Sequence, residues 1–359
     1  MHHTSRNPVL SESQQARFLQ LSQEAGFDLF GFTYATIDEK DRANLSGFAA
    51  ENQKNDLHWF NAHLGLRLHP SDILPGAISV LVLGSIYRHP AMDSAMQDAK
   101  AKISRYAAGK DYHLVLRKKA ARLADRFFKE HKQQVPELKY RVTTDSAPVP
   151  EKILARNAGL GWQGKNTNLI HPEKGSYFFL TAVFLNADLE PSDSTGTGVS
   201  KLSNAKAWET SEDSLFRPAN FDRCGSCRQC LDACPTGALQ PYKIQADLCL
   251  SYWTIEAKTE MPEEIASKVS GWVFGCDICQ EVCPYNRGAK GKRQLTTESA
   301  FFPRASVVEW MQNPLEPVDS VWESLSVSSP LKRPGQQRFR KNWEAASGQD
   351  LPGTGKEFL

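Results

Sequence analysis

All eight cysteines of this 359-residue chain fall between residues 224 and 283, and no other feature restricts the possible folds as tightly. The first four, Cys224, Cys227, Cys230 and Cys234, read C-x2-C-x2-C-x3-C-P. In that spacing three thiolates wrap one iron-sulfur cube and the fourth points away, toward a second. Cys224, Cys227, Cys230 and Cys283 are therefore assigned to a first 4Fe-4S cluster, and Cys234, Cys249, Cys276 and Cys279 to a second. Pro235 and Pro284 turn the chain away after each crossing ligand. Residues 250–275 split the second motif, and this insertion is expected to serve something besides the clusters. Paired zinc sites fit less well, since the run packs too many thiolates into one segment for a single tetrahedral ion. Disulfides fit less well still, because the N-terminus has no secretory pattern and reducing compartments keep thiols free.

The chain is long enough for a sizeable core and more than one domain. Its longest apolar run, Ala77 to Tyr87, falls short of the roughly 20 residues that cross a bilayer, so a cytoplasmic protein without membrane contact is expected. A formal net charge of +2 gives no strong overall field, yet basic residues gather in Lys100 to Lys132 and in Leu331 to Trp343. Extended patterns occur at Phe27 to Tyr34, Ala77 to Tyr87, Leu138 to Thr143 and Tyr177 to Asn186. Helical patterns occur at Asp41 to Leu64, Tyr112 to Gln134 and Glu151 to Ala158, and Ser11 with Gln14 forms a capping box for a helix that Gly26 stops. This alternation predicts an α/β or α+β domain over residues 1–210, closed by a polar linker at 190–210. A ferredoxin-like domain over 211–290 and a basic C-terminal segment over 291–359 follow.

Thr144 to Ile170 is dense in chemically useful side chains. Gly159 to Lys165 matches the G-x4-G-K frame of a phosphate loop, but Asn166 stands where Ser or Thr must bind magnesium, and a helix precedes the glycines instead of a strand. The remaining polar residues of this loop suit an amide-rich or phosphate-bearing ligand. Asp145 follows an extended run and precedes Ala147, Pro148, Val149 and Pro150. Two readings stay open: burial that raises its pKa and makes it a proton donor, or a cap for the coming helix.

The segment DSAPVPEKILARNAGLGWQGKNTNLI, with ISRYAAGKDYH before it and CGSCRQCLDACPTGAL, CLSYWTIE and GCDICQEVCPYN after it, resembles the epoxyqueuosine reductases. The resemblance implies an α+β fold, with a nitroreductase-like corrinoid-binding domain followed by a ferredoxin-like domain with two 4Fe-4S clusters and a short C-terminal tail. It implies a cobalamin-dependent oxidoreductase that reduces epoxyqueuosine to queuosine at the tRNA wobble position, with electrons passing from the clusters to cobalamin. On this resemblance Asp145 is the proton donor, and Arg67, Ala107, Asp145, Lys165, Asn168, Ser176, Ser251 and Asp277 contact cobalamin. No D-x-H-x-x-G cobalt-ligand motif occurs, because Val115 and Leu116 follow Asp111 and His113.

A tRNA substrate gives the basic tail a role. Lys332, Arg333, Arg338 and Arg340 are expected to bind phosphates, with Phe339 and Trp343 stacking on bases. An external electron donor is required and is not identifiable from the residues, and a monomer is the expected state. Two rivals remain. A reductive dehalogenase would use the same cofactors on a small apolar substrate, and a simple electron carrier would need only residues 211–290.

Overall fold

The computed structural model describes residues 7–145, 147–190, 222–287, 294–314 and 318–348. The polar stretch from 191 to 210 lies outside these. A four-stranded antiparallel sheet forms the first layer, in the order Leu29–Tyr34, Ser79–Ile86, Phe178–Leu185, Tyr140–Thr143. All eight residues of Ser79–Ile86 are buried, which is why this strand reads as an unbroken apolar run. Leu81 and Leu83 face the helices Glu12–Glu24 and Tyr112–His131, where Phe18 stacks on Phe127 with centroids 4.1 Å apart. Val80 and Val82 face the opposite side, packed by Ile153 and Leu154 of the helix Glu151–Asn157. The result is an α+β layer structure.

The capping box is present: Ser11 accepts from the Gln14 N–H and Gln14 accepts from the Ser11 N–H. The long helix expected over Asp41 to Leu64 breaks into Glu39–Glu51, His58–Asn61 and Leu64–Leu68. Asn52 causes the break, since its amide turns back to Phe48 O at 2.8 Å and its Oδ1 takes the Asn55 amide at 2.7 Å. Such local bonds compete with helix continuation.

Residues 250–275 and the C-terminal segment build a second core together. The strand Trp272–Phe274 pairs in parallel with Lys102–Ile103, and Asn342 on the helix Gly335–Ser347 donates to the carbonyls of Thr254 and Val273. Phe339 and Trp343, expected to stack on RNA, are buried here against Trp310 at 5.2 and 5.7 Å. Helical periodicity explains the correction. Positions 339, 342 and 343 share the inner face of that helix, leaving Arg338, Arg340 and Lys341 outside. Among the described residues no helix is long and apolar enough to cross a membrane.

Candidate active site and cysteine centres

Two short helices, Gln229–Asp232 and Ile278–Glu281, pack against each other, and each begins within a C-x2-C pair. The thiols influence one another, and the two expected sets meet at Cys279, which feels Cys230 as well as Cys249 and Cys234. Burial and then Cys224 and Cys227 raise Cys230, while burial and then Cys224 and Cys230, among others, push Cys283 up to about 11. In the other set, burial raises Cys249, Cys276 and Cys279, with Cys249 near both Cys276 and Cys279 and Cys234 near both Cys249 and Cys279. All eight are free thiols. Cys224, Cys227, Cys230 and Cys283 line a cavity of about 680 Å³. Partly buried cysteines whose thiolates would repel one another suit a body of iron cations that would neutralise them.

The polar loop after Gly159 grips these segments. Lys165 donates to the carbonyls of Gly225 (2.5 Å) and Cys227 (3.1 Å), and Asn166 donates to Cys279 O at 3.1 Å. The Asn168 amide points at Cys279 Sγ, 4.0 Å away. Its flanks are a hairpin of Trp162–Gln163 and Leu169–Ile170 behind the helix Glu151–Asn157, not the strand-loop-helix of a phosphate site. Ser176 lies beyond it, with its Oγ taking the amides of Gln280 (3.0 Å) and Asn286 (2.9 Å). Gly175 lies so close to Asn286 that a Cβ would collide with its Oδ1.

Several residues expected to touch a corrin are therefore committed to protein partners. Lys165, Asn168 and Ser176 bind the cysteine segments, and Ala107 is fully buried in the second core. The Asp277 carboxylate, 4 % exposed, takes the Arg105 N–H at 2.9 Å and its guanidinium at 3.1 Å. Arg105 also binds Glu281 at 2.6 Å and Asp93 at 2.8 Å. Ser251 reaches the sulfur of Cys249 through its side chain and its N–H.

Asp145 sits apart from this network, at the mouth of the sheet. Its φ of 48° is left-handed, a conformation that Asp tolerates better than most residues. Three neighbours hold it: Tyr112 donates a short hydrogen bond to Oδ2, His113 Nε2 lies 3.7 Å from Oδ2, and Glu151 Oε1 takes the Asp145 N–H at 3.2 Å. It caps no helix, since Pro150 occupies the N-cap of Glu151–Asn157. Its side chain is 64 % exposed yet walled in by protein, which places it in a recess. The expectation of a raised pKa is not met. Desolvation pushes the Asp145 carboxyl up, but hydrogen bonds from His113 and Tyr112 outweigh it and hold the group below its usual value. Sequence reading missed Glu151, the neighbouring acid, which burial and the Asp145 charge push up to about 8.

Arg67 belongs to the same recess. Its guanidinium lies 4.5 Å over Phe60 and 5.2 Å over Trp59, and burial lowers its pKa while Glu151 and Asp145 oppose that. Buried Nε of Arg67 and Oδ1 of Asn61 have no hydrogen-bond partner. A corrin rimmed with amides offers what these two atoms lack, so the donor set fits the cofactor. Burial lowers the pKa of Lys152, against the opposing charges of Asp145, Cys279 and Glu151, and its ammonium donates to Thr167 O at 3.2 Å. Of the basic tail, Arg333 forms a bidentate pair with Glu256 (2.7 and 3.0 Å), Arg338 donates to Thr259 O at 2.5 Å, Arg340 pairs with Asp319 at 3.1 Å, and Lys332 is exposed.

A family model described as epoxyqueuosine reductase QueG, DUF1730, matches residues 67–146, and one described as a 4Fe-4S double cluster binding domain matches 223–286. An epoxyqueuosine reductase of Leadbetterella byssophila is 35% identical over 89% of this chain and 93% of its own length. The chain belongs to the epoxyqueuosine reductase family. The Escherichia coli member is 31% identical over 92% of this chain and 79% of its own. The solved structure of an epoxyqueuosine reductase with an epoxyqueuosine-modified tRNA stem loop matches with a TM-score of 0.71 and 26% identity, covering 93% of this chain and 80% of that one. A Bacillus subtilis structure, described with its catalytic aspartate loop swung out of the active site, matches with a TM-score of 0.71 and 26% identity over 93% and 81%. Membership makes the protein an oxidoreductase with a double-cluster domain.

Proposed function

We propose that this chain reduces epoxyqueuosine to queuosine at the tRNA wobble position, the last step of queuosine biosynthesis, as a cytoplasmic monomer fed by an external electron donor. In this reading Cys224, Cys227, Cys230 and Cys283 hold one 4Fe-4S cluster, and Cys234, Cys249, Cys276 and Cys279 hold the other. Residues 1–210 form a nitroreductase-like unit whose recess holds cobalamin beside Arg67. The observation that supports the reading is the pair of family matches, one described as epoxyqueuosine reductase over residues 67–146, a stretch that includes Arg67 and Asp145, and one described as a 4Fe-4S double cluster binding domain over 223–286.

Removing an epoxide oxygen as water and leaving an alkene takes two electrons and two protons. Cobalamin, when bound, supplies a metal that accepts single electrons beside the substrate. The residues do the rest. Asp145 delivers a proton to the departing oxygen, Tyr112 fixes the carboxyl through Oδ2, and Glu151 fixes the loop through the Asp145 N–H. Arg67 and Arg333 surround Asp145 with positive charge and so steady the anion left after donation.

The test is anaerobic conversion of epoxyqueuosine-bearing tRNA by cluster-loaded protein with cobalamin and a reductant, followed by nucleoside mass spectrometry. Queuosine appears only with cobalamin present. Equal conversion without cobalamin, or none with it, rejects the reading.

A further inference from the structure

Two protons must reach one oxygen in each turnover, and a single carboxyl carries one at a time. The structure also leaves Asp145 in its anionic form at rest. A second group must therefore hold the proton and pass it on. We propose that His113 is the positioning residue that reloads Asp145, holding a proton between two carboxylates and handing it to the second. The inference rests on the reading of Asp145 as the acid.

The arrangement is a line of three groups. Asp111 caps the helix Tyr112–His131, accepting the His113 N–H at 3.0 Å, and its Oδ1 meets His113 Nδ1 at 2.7 Å. That contact sets the ring so that Nε2 faces Asp145 Oδ2, 3.7 Å away. The ring is held flat by stacking on Tyr112, centroids 4.1 Å apart, and Tyr112 is itself bonded to Asp145. His113 is 28 % exposed, so water reaches it. Burial opposes the charge on His113, yet hydrogen bonds from Asp111 and Asp145 push its pKa up to about 9, so it stores a proton at neutral pH.

The transfer balances simply. The Nε2–H bond breaks, the Oδ2–H bond forms, and the imidazolium becomes a neutral ring that keeps Nδ1–H on Asp111. No electrons move, and water restores the proton at Nε2. The 3.7 Å gap must close by about 1 Å, a motion expected of a donor that tightens only around substrate. The other titratable or charged groups coupled to the pair are Tyr106, Glu151, Arg67, Lys152 and Arg333, which act on Asp145 through their fields.

Single-turnover rates of the holoenzyme against pH, on epoxyqueuosine-bearing tRNA, provide the test. The wild-type rate should fall as pH rises through about 9. His113→Gln should lose about 100-fold or more in rate with tRNA affinity unchanged, and should lose the limb near 9. Asp111→Asn keeps the shape of the cap and should move that limb down by about one unit or more. Titration of the His113 ring by histidine-labelled NMR without added cobalamin, identified by its loss in His113→Gln, should show the same two midpoints. A wild-type rate and profile in His113→Gln, beside an inactive Asp145→Ala, overturns the relay and leaves the acid standing. Full activity in Asp145→Ala overturns the acid assignment and the relay with it.

Discussion

Replacing Arg105 by Met should loosen the attachment of the second cysteine segment to the sheet domain. Arg105 is 8 % exposed and bridges Asp93, Asp277 and Glu281, while also lying 5.4 Å over Tyr177. Met retains the bulk and removes the charge. Asp93 keeps Arg88 at 2.7 Å and Glu281 is partly exposed, so the damage falls on Asp277, left in a buried position with one backbone N–H. Removing one partner of a buried pair costs roughly 3–5 kcal/mol. An unfolding entropy of about 2.1 cal/mol/K per residue gives about 0.75 kcal/mol/K for this length, so the melting temperature should drop by about 4–7 °C. Anaerobic thermal melts of cluster-loaded protein at neutral pH, with bound iron measured in parallel, read the effect. Arg105→Met/Asp277→Leu should recover part of the loss, because removing both charges leaves none stranded. A drop under about 1 °C in Arg105→Met, or strict additivity in the double variant, would refute the reasoning.

Gly175→Ala sets a Cβ against Asn286 in a left-handed backbone (φ 70°), so it should cost at least about 1–2 kcal/mol and release bound iron as the Cys283 segment shifts; unchanged melting and iron content would contradict the close packing. Glu151 has its folded pKa raised from 4.5 to about 8, so its stabilising contribution is full below pH 4.5 and is lost as pH rises through about 8. Glu151→Gln should flatten that fall in a melting series across the same window. Changing Lys332, Arg333, Arg338 and Arg340 to Ala should weaken tRNA binding and flatten its salt dependence in a filter-binding titration. Cys234→Ser should remove roughly half of the bound iron if it serves only the second cluster, and iron analysis of anaerobic protein checks this.

The sheet was legible because its strands are apolar runs bounded by turns, and each of the four lies inside the stretch expected for it. The capping box at Ser11 was legible for the same local reason. What failed was non-local or needed a second periodicity. Phe339 and Trp343 lie four residues apart, a helical stripe, but the charges between them drew the eye to RNA. Lys165, Asn166 and Asn168 announced a polar grip, and nothing local told that the acceptors they hold, the carbonyls of Gly225, Cys227 and Cys279 and the Cys279 sulfur, lie more than fifty residues away. Asp111 carried a readable cap signal before Tyr112, whereas its extension through His113 to Asp145 depends on how a helix start meets the end of a strand.

These contacts divide the molecule by mechanical need. On the proposed reading, electron transfer between the clusters gains from fixed distances, and the cysteine segments are fixed: Lys165, Asn166, Ser176 and the Arg105 ion cluster all bind them from the sheet side. Proton delivery needs the reverse. Asp145 occupies a left-handed backbone that costs on the order of 1–2 kcal/mol, offset by Tyr112, His113 and Glu151, whose bonds are few and partly solvent-exposed. On the proposed reading, an Asp145 held by so small a margin suits a donor that moves as substrate arrives. In the proposed relay, His113 sits in the first turn of the helix Tyr112–His131 with Asp111 capping it, so a fixed reservoir recharges the acid.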